Sequence, residues 1–205
     1  MGYSTDFFGS LSLSRPATIV EKNYLDKLAD TRRMKRDVNK LMELYKGEHG
    51  NPFAKDKNNP DDIYGFKGEY FVGADGFKGQ GSDDSIIDYN SASGEIAWDD
   101  YKGDWALRNK LQDKLNADKI KQPGLWLQWV LNEDGTELSW DGNEKFYHYT
   151  EWLQYLIAHF FEPWGIKLNG EIEWVGEDSN DRGKIVVSNN HVEILDAVIG
   201  YEKRG

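Results

Sequence analysis

Six of the eight tryptophans of this chain fall between Gln122 and Asp178, at Trp126, Trp129, Trp140, Trp152, Trp164 and Trp174. Aromatic side chains bury large areas and concentrate in cores and at interfaces. A stretch so rich in indole has to fold against itself or against a partner, so it forms the structural heart of the protein. Its punctuation divides it into short strands and one helix. Leu125–Leu131 and Thr136–Trp140 read as strands around Asn132-Glu133-Asp134-Gly135, a hairpin signal. Glu151–Phe161 places Trp152, Leu153, Leu156, Ile157 and Phe160 on one side at helical spacing, with Thr150 as the expected cap. Glu151, Tyr155 and Glu162 are expected on its polar side, and Pro163 ends it. Glu171–Val175, Lys184–Val187 and His191–Tyr201 read as three closing strands, the last two joined across Asn189–Asn190.

The first part of the chain is organised differently. Thr5–Ser14 alternates as a strand with Phe7, Gly9, Leu11 and Leu13 on one face. Thr18 with Glu21 three positions later spells a capping box for a helix carrying Tyr24, Leu25 and Leu28. Thr31 is expected to cap a second helical segment, with Met34, Val38, Leu41, Met42 and Tyr45 at helical spacing. Residues 47–69 read as a long loop and Tyr70–Val72 as a short strand. Between Ser91 and Gln122 a helix is expected, capped by Asp104 and carrying Trp105, Leu107, Leu111 and Leu115. Hairpins with segregated helices predict an α+β protein: an antiparallel β-sheet packed by a few helices, in a single domain over 1–205.

Charge and composition narrow the function. The chain has no cysteine, which removes disulfides, thiol nucleophiles and cysteine zinc sites. No apolar run reaches membrane-spanning length, and the N-terminal residues do not spell a signal peptide, so the expectation is a cytoplasmic protein without membrane contact. Net charge is −11, and it is uneven. Residues 1–70 carry 12 Lys+Arg against 11 Asp+Glu, or +1, and the remainder carries −12. An acidic later half repels nucleic-acid phosphates and attracts basic protein surfaces.

The segments TRRMKRD (31–37), GQGSDDSIIDYN (79–90), QPGLWLQWV (122–130), DGTELSWDGNEKFYHYTEWLQYLIAHFFEPWG (134–165) and LNGEIEWVGEDSNDRGKIVV (168–187) together resemble a group of small proteins of bacteria and their phages. The resemblance implies a shared fold and a bacterial cytoplasm as the setting. It brings no catalytic residue with it. Relatives are shorter in two places, which implies that 38–68 and 91–121 are insertions.

Two constellations carry potential chemistry. Arg32, Arg33, Lys35 and Arg36 form the sharpest basic cluster, suited to gripping phosphate or carboxylate, or to an internal ion-pair network. Gly79 and Gly81, with Asp75, Asp83 and Asp84, lie in a glycine-rich segment where grouped carboxylates could hold Mg²⁺ or Ca²⁺. Its spacing matches no phosphate loop, dinucleotide fingerprint or EF-hand, so a structural loop is the favoured reading. No nucleophile or HExxH motif is present. The expectation is therefore a non-enzymatic protein-binding module, an acidic inhibitor of a host protein, with Trp126, Trp129, Trp140 and Trp164 as interface candidates. Self-association is a variant of this reading. The alternative is a small nucleotide- or metal-binding enzyme joining the 32–36 cluster to the 73–84 loop.

Overall fold

The computed structural model describes residues 2–45, 68–73, 79, 83–92, 102–109, 121–178 and 180–198. A six-stranded antiparallel sheet dominates, in the order β4-β5-β1-β6-β7-β8. Its strands are β1 (Thr5–Leu13), β4 (Trp129–Leu131), β5 (Glu137–Trp140), β6 (Leu168–Gly176), β7 (Arg182–Ser188) and β8 (His191–Asp196). A second, two-stranded sheet joins β2 (Met34–Arg36) to β3 (Ile86–Ala92). The helices are α1 (Ile19–Asp30), α2 (Val38–Tyr45) and α3 (Tyr149–Leu156), the last running into a π-helical turn at Ile157–Phe161. The α+β class and its antiparallel hairpins are as the sequence predicts.

Alternation assigns each face of the large sheet. Phe7, Leu11, Leu138, Leu168, Ile172, Trp174, Ile185 and Val187 all point inward and are buried. They meet Trp152, Leu153, Leu156, Phe160 and Phe161 from α3 and its π turn, together with Tyr24, Leu25 and Leu28 from α1. Phe7 is a hub: Trp129, Trp140, Phe146 and Tyr149 sit edge-on to it with centroids 4.8–5.9 Å away. Gly183 is required beneath Trp174, because a Cβ there would fall 2.2 Å from the indole.

Local signals succeed where the partners are local. Thr18 and Glu21 form the capping box, and Glu21 also receives the Arg15 guanidinium at 2.8 Å. The hairpin between β4 and β5 closes with Asn132 Oδ1 accepting from Thr136 N–H at 2.8 Å. Asp104 caps a helical stretch at 105–109, its carboxylate accepting from Leu107 N–H at 3.0 Å; Leu111 and Leu115 lie outside the described residues, as does most of 47–69.

Five expectations are corrected. Residues 34–36 are a strand, not a helix; the helix begins only at Val38, with Asp37 Oδ1 accepting from Asn39 and Lys40 N–H at 2.9 and 3.2 Å. Thr31 instead closes α1, its hydroxyl donating to Lys27 C=O at 2.6 Å. Residues 70–72 form no strand. His148, in a left-handed conformation, precedes α3 in place of Thr150, and Tyr155 is fully buried rather than on a polar side.

Candidate functional site

The basic segment is built inward. Arg33, Lys35 and Arg36 are each no more than 2% exposed. A charge inside a protein persists only when paired and hydrogen-bonded. Arg33 Nε donates to Gln122 Oε1 at 3.0 Å, Gln122 Nε2 returns to Arg33 C=O at 2.8 Å, and Arg33 Nη1 reaches Phe71 C=O. Burial pulls the Arg33 pKa down. Arg36 Nη1 meets Asp83 Oδ2 at 2.6 Å and Ser85 Oγ at 2.8 Å, with the guanidinium 4.8 Å over the Phe71 ring. Burial raises the Asp83 carboxyl, but the Ser85 hydroxyl and the Arg36 guanidinium outweigh it, so Asp83 sits below the ordinary carboxylate range.

The two segments singled out from sequence therefore do meet. Arg36 touches Asp83, and Gly79 packs at φ +62° where a Cβ would lie 3.2 Å from Arg32 C=O. Asp84 is exposed. Asp75 and Gly81 lie outside the described residues. Among the described residues no group of His, Asp and Glu is arranged to hold a metal ion. Arg32 is the outward member of the cluster. It is half-buried, and its guanidinium lies 4.4 Å over Tyr89 and 5.9 Å from Trp126.

Beside this cluster Tyr155 donates to Glu69 Oε1 at 3.0 Å, and Tyr70 shares a hydrogen bond with His159 Nδ1 at 2.7 Å. Burial pushes the Tyr155 hydroxyl well up. Ser85 and Gln122 as partners of the cations, and Glu69 as the partner of Tyr155, were not foreseen; their separation in sequence left no local signal.

The tryptophans divide. Trp129 is 1% exposed, and its Nε1 donates to Tyr149 C=O at 2.8 Å, so it belongs to the core; Trp164 is buried as well. Trp126 and Trp140 are half-buried. Trp140 Nε1 donates to Gln128 Oε1 at 3.1 Å. Trp126 lines a cleft of about 530 Å³ together with Asp30, Gln128, Asp141 and Glu144.

The outer face of the large sheet is a different surface. Phe8, Glu173, Lys184 and Leu195 stand in one cross-strand row; Ser10, Glu171, Val186 and Glu193 form the next. Asp6 and Glu137 extend the face over β1 and β5. Phe8 is 58% exposed and Leu195 51%. Lys184 bridges Glu171 at 2.7 Å and Glu173 at 3.4 Å. Five carboxylates (Asp6, Glu137, Glu171, Glu173 and Glu193) stand against Lys184 and Arg182. None of the described helices covers this face. The alternation Glu171-x-Glu173 on a strand was the available sequence signal. The chain matches no family model, no curated protein and no solved structure among those compared with it.

Proposed function

We propose that this protein is a non-enzymatic binding module whose open, acidic sheet face docks on a basic surface of another protein, a host protein that it inhibits in a bacterial cytoplasm. The observation that carries this reading is the outer face itself. Exposed Phe8, Val175 and Leu195 supply apolar anchors, and the surrounding carboxylates supply long-range attraction and orientation. Phe8 stands opposite Glu173 on this face, and none of the described helices covers it.

The test is capture from bacterial lysate at several salt concentrations, by wild type and by a Phe8→Ala/Glu173→Lys variant. A basic protein retained by wild type, released as salt rises and lost with the variant is the expected result. Retention of the same protein by the variant, or no specific protein at any salt, removes this reading.

The nucleotide- or metal-binding reading keeps one point in its favour, the contact between the 32–36 and 79–84 segments at Arg36–Asp83. It ranks second because Arg33 and Arg36 are buried with protein partners and Asp83 is already committed to Arg36. A thermal shift in the presence of nucleotides or Mg²⁺ checks it; a ligand at 100-fold its Kd adds about 2.7 kcal/mol.

A further inference from the structure

β8 is the last strand of the large sheet, and its hydrogen-bond phase is fixed at both ends. Ala197 N–H donates to Arg182 C=O at 2.9 Å. Ser188 faces His191 across the two-residue turn Asn189–Asn190. Bonded pairs alternate along an antiparallel ladder, so His191, Glu193, Leu195 and Ala197 direct their backbone groups at β7. Val192, Ile194 and Asp196 direct theirs outward. Among the described residues no strand receives them. This edge carries carboxylates at Glu193 and Asp196 but none of the other usual protections. It runs six residues without proline, lysine or bulge, in unbroken register with β7. Ile194 and Leu195 are 49% and 51% exposed. An edge of this kind is a template for another strand.

We propose that β8 pairs antiparallel with β8 of a second copy of this chain, with Ile194 facing its counterpart on a twofold axis perpendicular to the sheet. The spacing of the outward residues selects both the occupant and the register. With Ile194 on the axis, Val192 of one copy faces Asp196 of the other, and all three outward residues find partners inside β8. Centring on Glu193 sets two carboxylates opposite each other and turns Asp196 toward Asn190 in the turn. Centring on Leu195 turns Val192 toward Val198, beyond the strand. On the inner face Ile194 stands beside buried Ile185, and its counterpart covers its exposed side, continuing the core across the axis. On the outer face Glu193 meets Leu195 of the second copy, so no like charges are opposed. Two six-stranded sheets become one, with both acidic faces on the same side. The pairing rests on backbone phase and stands independently of the docking proposed above.

Sedimentation equilibrium of the full chain up to about 100 μM reads the association directly. The expected mass is twice 23.6 kDa. Ile194→Pro removes an N–H that β7 does not use, and Ile194→Lys adds an edge charge; each should give a monomer that still melts cooperatively. If both Ile194 variants fail to fold, amide exchange of wild type decides, because the Val192, Ile194 and Asp196 N–H groups should gain protection as concentration rises. A monomer throughout the range, a dimer unmoved by Ile194→Pro, or outward amides indifferent to concentration overturns the proposal.

Discussion

At the scale of single residues the balance turns on buried charge. Arg36 is 1% exposed and Asp83 is its carboxylate partner at 2.6 Å. Removing one partner of such a pair strands the other, which costs more than the pair contributes. Asp83→Asn is expected to cost about 2 to 3 kcal/mol, at the low end for buried pairs because Asp83 keeps some solvent contact. Urea unfolding of the variant measures it, and a loss below about 0.5 kcal/mol would mean that Arg36 has other support. Acid should act on the same pair. Asp83 and Glu21, the latter beside Arg15, both have lowered carboxyl pKa values. Their folded forms hold protons less tightly than the unfolded chain does. The stability they contribute is thus complete above the unfolded carboxylate range of about 4 and is lost as pH falls through the folded values. The urea midpoint should be level above about pH 5 and fall steeply below about pH 4. Arg33 to Arg36 also show what sequence could not tell. Four cations within five residues suit an external anion and an internal network alike; Asp83, Ser85 and Gln122, distant in the chain, turn Arg33 and Arg36 inward and leave Arg32 as the outward member.

At the scale of elements, a motif was legible where its own few residues complete it. The capping box at Thr18–Glu21 and the β4–β5 hairpin are of this kind. The span 31–45 was not, because helical spacing from Val38 to Tyr45 extends backwards over Met34 while pairing with β3 holds Met34–Arg36 extended. The turn Asn189–Asn190 was legible as a turn, both residues having positive φ, 49° and 72°. A second role of Asn190 was hidden. Its Oδ1 accepts from Leu168 N–H at 2.7 Å and its Nδ2 donates to Ile166 C=O at 2.9 Å, tying the hairpin to the start of β6. The two asparagines should therefore differ on substitution. Asn189→Gly keeps the backbone conformation and should change stability by less than about 0.5 kcal/mol. Asn190→Gly keeps the conformation too, but strands two buried backbone groups and should cost about 2 kcal/mol. Thermal denaturation of the pair separates the two roles, and equal losses would contradict the assignment.

At the scale of the whole molecule, the two sheets differ in how they are held. β1 lies between β5 and β6 in the middle of the large sheet, with a nine-residue ladder to β6, and its inner face sits on the main aromatic core. β2 offers three residues to β3, with register shifts at both steps. The apolar support nearest to it is a small cluster around Leu41 and Phe71. Much of the remaining support is polar, through Arg33, Arg36 and their partners. Water competes for hydrogen bonds and ion pairs as soon as a region opens, whereas the aromatic core stays closed until the sheet itself separates. The small sheet should consequently open without the large one. Native-state hydrogen exchange is expected to show β1, β6 and β7 amides exchanging only through global unfolding. The β2–β3 amides should exchange through a smaller opening, several kcal/mol below the global value. Asp83→Asn should lower that smaller opening further and leave the slowest β1 amides shifted only by the loss of global stability. Identical protection in both sheets would mean that the buried cations weld the small sheet to the core. The polar cluster would then be part of one cooperative unit with the tryptophan-rich half of the chain.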